Sequence, residues 1–295
     1  MNIGFYPGCS LTGTSKEYNE SLVAVATSCG ITLQEIGEWN CCGASSAHAL
    51  NHELALLLPS RILALAEQQG FTELLIPCAA CYSRIATAQH QLLQDAKLLA
   101  EVSEILKIKF TATIKLFNPL KFLSEKILPL IEDKIKNKLN LKVSCYYGCL
   151  LVRPPQIMKT ERFEDPVVME NILAKCGAYP IDWNFKTECC GASLSIARGD
   201  ISSKLSMRIL RDAADKKAEV VAVACPMCHS NLDMRRPDIN SLLTAKIDIP
   251  VLFITQLIGM ALGIPAEKLG LHRHFVKNDK MVSNVYSQNK VECPA

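Results

Sequence analysis

The sequence lacks any run of about 18 uncharged apolar residues, so no segment is expected to cross a membrane as a helix. Its first residues, MNIGFYPGCSL, lack the charged start and apolar stretch of a secretion signal. There is no excess of either charge. The 32 basic and 29 acidic side chains leave +3, too balanced to argue for nucleic acid or a lipid surface as partner. Also missing are a G-x-G-x-x-G dinucleotide fingerprint, a flavin fingerprint and the ferredoxin spacing C-x2-C-x2-C-x3-C-P. What remains is an ordinary globular mix, 49% apolar and 21% charged. Its 295 residues make about two domains at ~150 residues each. The chain is expected in the cytoplasm, where thiols stay reduced and a dense cysteine pattern points to metal binding or catalysis rather than disulfides.

Cysteine is what the chain has in quantity, fourteen in all, with two adjacent pairs in one context: Cys41-Cys42 in EWNCCGASSA and Cys189-Cys190 in TECCGASLSI. Neighbouring Cα atoms sit ~3.8 Å apart, short of the usual disulfide range of about 4.4–6.8 Å, so neither pair reads as an internal disulfide. Aligning the pairs brings the rest into register. The first half has Cys9, Cys41-Cys42 and Cys78-x-x-Cys81; the second has Cys149, Cys189-Cys190 and Cys225-x-x-Cys228. The offset is 140 at the first cysteine, 148 at the pair and 147 at the C-x-x-C, as one insertion near RPPQIMKTERFEDP would give. The chain is a duplication.

Each half alternates short apolar runs with helix-period stretches. This predicts an α/β fold of two pseudo-twofold-related repeats with mainly parallel sheets. Strands are expected to begin near Ile3, Thr32, Leu74 and Ile114, and near Lys142, Tyr179, Val220 and Val251. Helices before Cys29 and Cys176 should stop at the following glycine. Asn118-Pro119 should cap and open another. The first domain is placed at 1–140 and the second at 141–275. A disordered tail is expected at 276–295. Because open α/β sheets build sites beyond the carboxyl ends of their strands, all five cysteines of a half can meet at one sheet edge.

Five thiolates exceed the four that structural zinc needs, and an adjacent pair makes an awkward knuckle. A thioredoxin-like C-x-x-C leaves the pairs unexplained. Soft thiolates in excess favour iron–sulfur chemistry, with structural zinc the remaining alternative. These motifs, carried by YPGC, CCGAS and CPMCHSN over about residues 3–265, resemble the tandem cysteine-rich CCG domains of the heterodisulfide reductase B-subunit family. The resemblance implies two noncubane [4Fe-4S] clusters, one held by Cys9, Cys41, Cys42, Cys78 and Cys81, the other by Cys149, Cys189, Cys190, Cys225 and Cys228. It implies a catalytic component that splits the CoM-S-S-CoB heterodisulfide of methanogenesis, or a related thiol pair, between the two clusters. Its expected partners are an HdrC-like protein with cubane iron–sulfur clusters and an HdrA-like flavoprotein, alongside the small-molecule disulfide. The alternative is an electron-transfer subunit of a CCG-containing dehydrogenase or oxidase without its own disulfide.

Other residues have weaker claims. Cys145, four residues before Cys149, competes with it, though Cys149 shares the Y-x-G-C context of Cys9. Cys29 and Cys176 read as core, and Cys293 as inert. His229, next to Cys228, is a candidate proton donor or a partner of cluster sulfur. Arg84, Arg153 and Arg198 lie near ligand cysteines and could bind an anionic substrate. The HRH at 272–274 reads as surface.

Overall fold

The computed structural model describes residues 1–44 and 47–287. Two four-stranded, all-parallel sheets lie one in each half. The first contains β1 (Asn2–Phe5), β2 (Thr32–Glu35), β3 (Glu73–Leu75) and β4 (Lys115–Phe117), in the order β2-β1-β3-β4. The second contains β5 (Lys142–Tyr146), β6 (Tyr179–Pro180), β7 (Val220–Val223) and β8 (Val251–Phe253), in the order β6-β5-β7-β8. All eight strands fall at the expected apolar runs. The runs VVAV and VLF are apolar at every position because both faces of their strands are buried, as parallel sheets require.

Helices return the chain from each strand to the next. The helices Lys16–Ser28 and Val168–Lys175 stop at Cys29 and Cys176, at the expected Cys-Gly steps. Asn118 caps the helix Pro119–Phe122, its side chain accepting from the Lys121 amide at 2.8 Å.

The halves meet helix against helix. Helix Lys16–Ser28 of the first lies on helix Ile254–Ala261 of the second. There the Ser21 and Thr255 hydroxyls are 2.7 Å apart, and the rings of Tyr18 and Phe253 stack with centroids 4.2 Å apart. In the reciprocal contact the turn Leu123–Ile127 meets helix Val168–Lys175. A single apolar cluster therefore runs from Ile3 and Leu22 of the first half through Val143 and Ile258 of the second. A smaller cluster, with Ile36, Ile62 and Ile114, belongs mainly to the first half.

The stretch expected to begin a disordered tail differs from that reading. Residues Asp279–Ser287 form a helix, with Val285 buried and the Tyr286 hydroxyl donating to the Ile264 carbonyl. Met281, Val282, Val285 and Tyr286 form a helical stripe against the main core, overlooked among polar neighbours. Cys293 lies outside the described residues.

Phe253→Ala should cost about 3–5 kcal/mol of unfolding free energy, because it empties a fully buried site at the junction of the halves. Equilibrium denaturation is the measurement. Phe163→Ala, at a partly exposed site, should change stability by about 0.5 kcal/mol or less. Equal effects would show that the junction contributes nothing special.

Candidate thiolate centres

Each strand that feeds a site ends just before a cysteine. Cys9 lies in the short helix Gly8–Thr12 after β1, and Cys41-Cys42 follow β2. Cys78 stands at the start of helix Ala79–Gln94 after β3, with Cys81 in that helix's first turn. In the second half Cys149 follows β5 and Cys189-Cys190 follow β6. Cys225 caps helix Pro226–Asp233, which carries Cys228.

The thiols converge. Sγ–Sγ distances are 3.1 Å for Cys42–Cys81, 3.7 Å for Cys190–Cys228 and 3.9 Å for Cys149–Cys189. Cys78 and Cys81 are hydrogen-bonded, as are Cys225 and Cys228. Cys9 feels Cys41, Cys42 and Cys78; Cys149 feels Cys189, Cys190 and Cys225. Each set thus gathers five sulfurs. Cys9, Cys41 and Cys189 are exposed and Cys149 is half-buried, while the other six are buried, so each set has one open side.

Crowding sets the thiol acidities. Hydrogen bonding with Cys81 brings Cys78 down to about 7 and also lowers Cys42, while Cys81 itself is pushed well up. Cys149 does the same for Cys189, which falls to about 6, and Cys228 for Cys190. In each pair one thiol falls and its partner is raised, because a second thiolate beside the first is disfavoured. Five adjacent thiolates therefore require a cationic group among them. All ten donors are soft sulfurs. The Gly43 and Gly191 amides donate to Cys41 and Cys189 at 3.4 and 3.3 Å. This donor set fits an iron–sulfur group, whose potential such amide bonds tune.

Two tyrosines brace the sites. Tyr6 and Tyr146 reach from the ends of β1 and β5 and donate to the carbonyls of Asn40 and Glu188, just ahead of each cysteine pair, at 2.9 and 2.6 Å. Asn231 and Ser206 hold the Cys190 carbonyl at 2.9 and 3.2 Å. Arg61 holds Asn40 at 2.8 Å. The backbone also passes close to sulfur. A Cβ at Gly148, where φ is +67°, would lie 2.8 Å from Cys228 Sγ.

Known proteins are similar to this chain in sequence and fold. The cysteine-rich domain (CCG) profile matches residues 3–86 and again 143–233. The chain belongs to the cysteine-rich CCG domain family. It is 32% identical to the 8-methylmenaquinol:fumarate reductase membrane anchor subunit of Wolinella succinogenes, over 94% of this chain and 98% of that one. It is 30% identical to the B subunit of the ferredoxin/F420H2-dependent CoB-CoM heterodisulfide reductase of Methanosarcina acetivorans, over 78% of this chain and 79% of that one. In fold it is similar to a hypothetical protein from Helicobacter pylori, with a TM-score of 0.76 at 13% identity. That likeness covers 94% of this chain and 52% of the other. Among the described residues no helix is long and apolar enough to cross a membrane.

Outside the two CCG sulfur sets, Cys145 points into the core from β5. It is fully buried, and burial pushes its thiol well up. Cys29 and Cys176 are core residues, as expected. Arg153 is exposed and donates to the Thr187 carbonyl at 3.2 Å, two residues before Cys189. Arg198 is paired with Asp200 at 2.8 Å, and Arg84 is half-buried. The ring of His229 stacks on Phe253 and meets His274, whose side chain is buried rather than on the surface. The brace tyrosines were visible in sequence as the repeated Y-x-G-C but had been assigned no role. Tyr18 and Phe253 left no such signal.

Gly148→Ala should destabilise the metal-free protein by about 2–4 kcal/mol, from left-handed strain plus overpacking against Cys228. Gly70→Ala, also at positive φ but facing open space, should cost only about 1–2 kcal/mol. Urea midpoints of the two variants test the difference, and equal midpoints would remove the sulfur contact as a constraint.

Proposed function

We propose that this chain is the cluster-bearing component of a heterodisulfide reductase-type oxidoreductase that reduces a small-molecule disulfide to two thiols. The observation that carries this reading is the complete five-sulfur set in both halves, each open on one side. Cys9, Cys41, Cys42, Cys78 and Cys81 would hold one noncubane [4Fe-4S] cluster, and Cys149, Cys189, Cys190, Cys225 and Cys228 the second. When bound, two such clusters supply one electron each, the pair that an S–S bond needs.

The chain's own residues supply the rest. The buried cysteines of each set keep its inner side dry, and the exposed ones leave room for an approaching sulfur. Tyr18 donates to the Ala224 carbonyl, next to Cys225, at 3.3 Å and lies within electrostatic reach of Cys78, so the buried junction approaches one cysteine of each set. Arg153, beside the second cysteine pair, is the best placed of the three arginines to meet an anionic substrate; Arg198 is engaged by Asp200. His229 holds its ring toward the junction, which favours a positioning role over proton donation to a thiolate. Exposed apolar side chains follow the cysteines in sequence: Leu150, Leu194 and Ile196 in the second half, Leu50 and Leu54 in the first. Such apolar exposure fits docking of partner proteins, one with cubane clusters and one with flavin.

A second reading has its own support. The relative matched over 98% of its length is named as the membrane anchor subunit of a fumarate reductase. On that reading the two clusters relay electrons and no disulfide is split.

Cys42→Ala and Cys190→Ala are each expected to remove about half the iron of anaerobically purified protein, with a change in the EPR signal of one set only. Cys145→Ser should keep both sets, and Cys149→Ser should lose the second. The reverse pattern at these last two would move the ligand role to Cys145.

The readings separate on substrate. With its electron donor and a panel of disulfides, the wild type should turn over at least one, and a thiol product should shift the EPR signal of an oxidised cluster. A panel that neither turns over nor shifts any signal would favour the relay.

A further inference from the structure

We propose that His229, Asp233 and His274 form a third metal site, for a single zinc ion, separate from both sulfur sets. His229 and Asp233 are four residues apart on helix Pro226–Asp233 and so share a face. His274 arrives from the chain that follows β8. The side chains of all three are buried.

Three ligand atoms converge. His229 Nε2 lies 2.9 Å from His274 Nδ1, and Asp233 Oδ2 lies 3.9 and 3.8 Å from those two nitrogens. The point equidistant from the three atoms is about 2.1 Å from each, the usual zinc distance to imidazole nitrogen or carboxylate oxygen.

The opposite ring nitrogens are engaged as ligating histidines require. With Nε2 of His229 turned to His274, its Nδ1 faces the Val251 backbone and Glu17 Oε1, the latter at 3.7 Å. His274 Nε2 lies 3.0 Å from Gln256 Oε1 and 2.8 Å from Gln256 Nε2, so it can donate to that amide's oxygen. That amide is itself fixed, accepting from the Phe253 amide and donating to the Leu269 carbonyl. In the tautomer with His274 Nε2 as donor, His229 Nε2 and His274 Nδ1 present lone pairs to each other and to a fully buried carboxylate. The carboxylate is supported by the Phe275 and Val276 amides at 2.8 and 3.1 Å, which carry no charge. The nearby Arg236 guanidinium hydrogen-bonds the Leu232, Ile247 and Ile249 carbonyls. A cation among the three atoms resolves the repulsion and neutralises the carboxylate.

Two imidazoles and one carboxylate are a donor set that zinc accepts, and the three separations, 2.9, 3.9 and 3.8 Å, average about 3.5 Å, as tetrahedral or trigonal ligation needs. The ion would pin the chain beyond β8 to the helix that begins at Cys225 and carries Cys228, which makes it structural.

The test uses the full chain, purified anaerobically after growth with added zinc and dialysed without chelator. Elemental analysis should give about one zinc per chain beside the iron. X-ray absorption at the zinc edge should show nitrogen and oxygen near ~2.0 Å and no sulfur near ~2.3 Å. His274→Gln and Asp233→Asn should lower zinc occupancy more than tenfold and leave the iron unchanged. Zinc coordinated by sulfur would overturn the proposal, because it would then sit among the cysteines. Iron-loaded wild type that binds no zinc would also overturn it, with the two rings sharing a proton instead. If both variants fail to fold, the occupancy and ligand shell of the wild type decide alone.

Discussion

Five sulfurs from three separated stretches of chain must reach one point, and parallel strands meet that demand. Neighbouring parallel strands end on the same side of a sheet, so whatever follows each of them is gathered there. Cys9, the first cysteine pair and Cys78 follow β1, β2 and β3, which are adjacent in the first sheet. Duplication repeats the solution in the second. The short strands, three to five residues apart from the two-residue β6, suffice because their task is to align chain ends.

Bringing sulfurs together has an electrostatic cost. Within each set some thiols become more acidic only because their neighbours hold protons. Cys78 falls to about 7 while Cys81 rises, and Cys189 falls to about 6 while Cys149 rises. The same crowding and burial hold the phenols of Tyr6 and Tyr146 protonated, which keeps them donors to the carbonyls that shape each cysteine loop. An iron–sulfur group held there would remove this conflict, since its positive charge would permit the sulfurs to ionise together.

The junction joins the halves into one core. Tyr18, Phe253 and His229 form a continuous stack from the helix after Cys9 to the helix that carries Cys228. The junction thus ends on the helix where His229 and Cys228 are neighbours, and at its other end Tyr18 lies within electrostatic reach of Cys78.

The sequence by itself determined the duplication, the eight strands, and the ten cysteines that converge, because these depend on local periodicity and repeated spacing. It left Cys145 and Cys149 as rivals. Their places in the fold differ: Cys145 lies within β5 and points into the core, while Cys149 lies past its end. Only the tertiary structure decided the helical course of residues 279–287, the burial of His274, and the contacts of Tyr18 with Phe253 and of Ser21 with Thr255. Ser21 and Thr255 are 234 residues apart. The two partners come from different elements of the two halves, the helix before β2 and the helix after β8, so neither repeat contains the pattern. Such contacts arise when two amphipathic helices bury their faces against each other, and the register of that packing is set by shape rather than by any spacing along the chain.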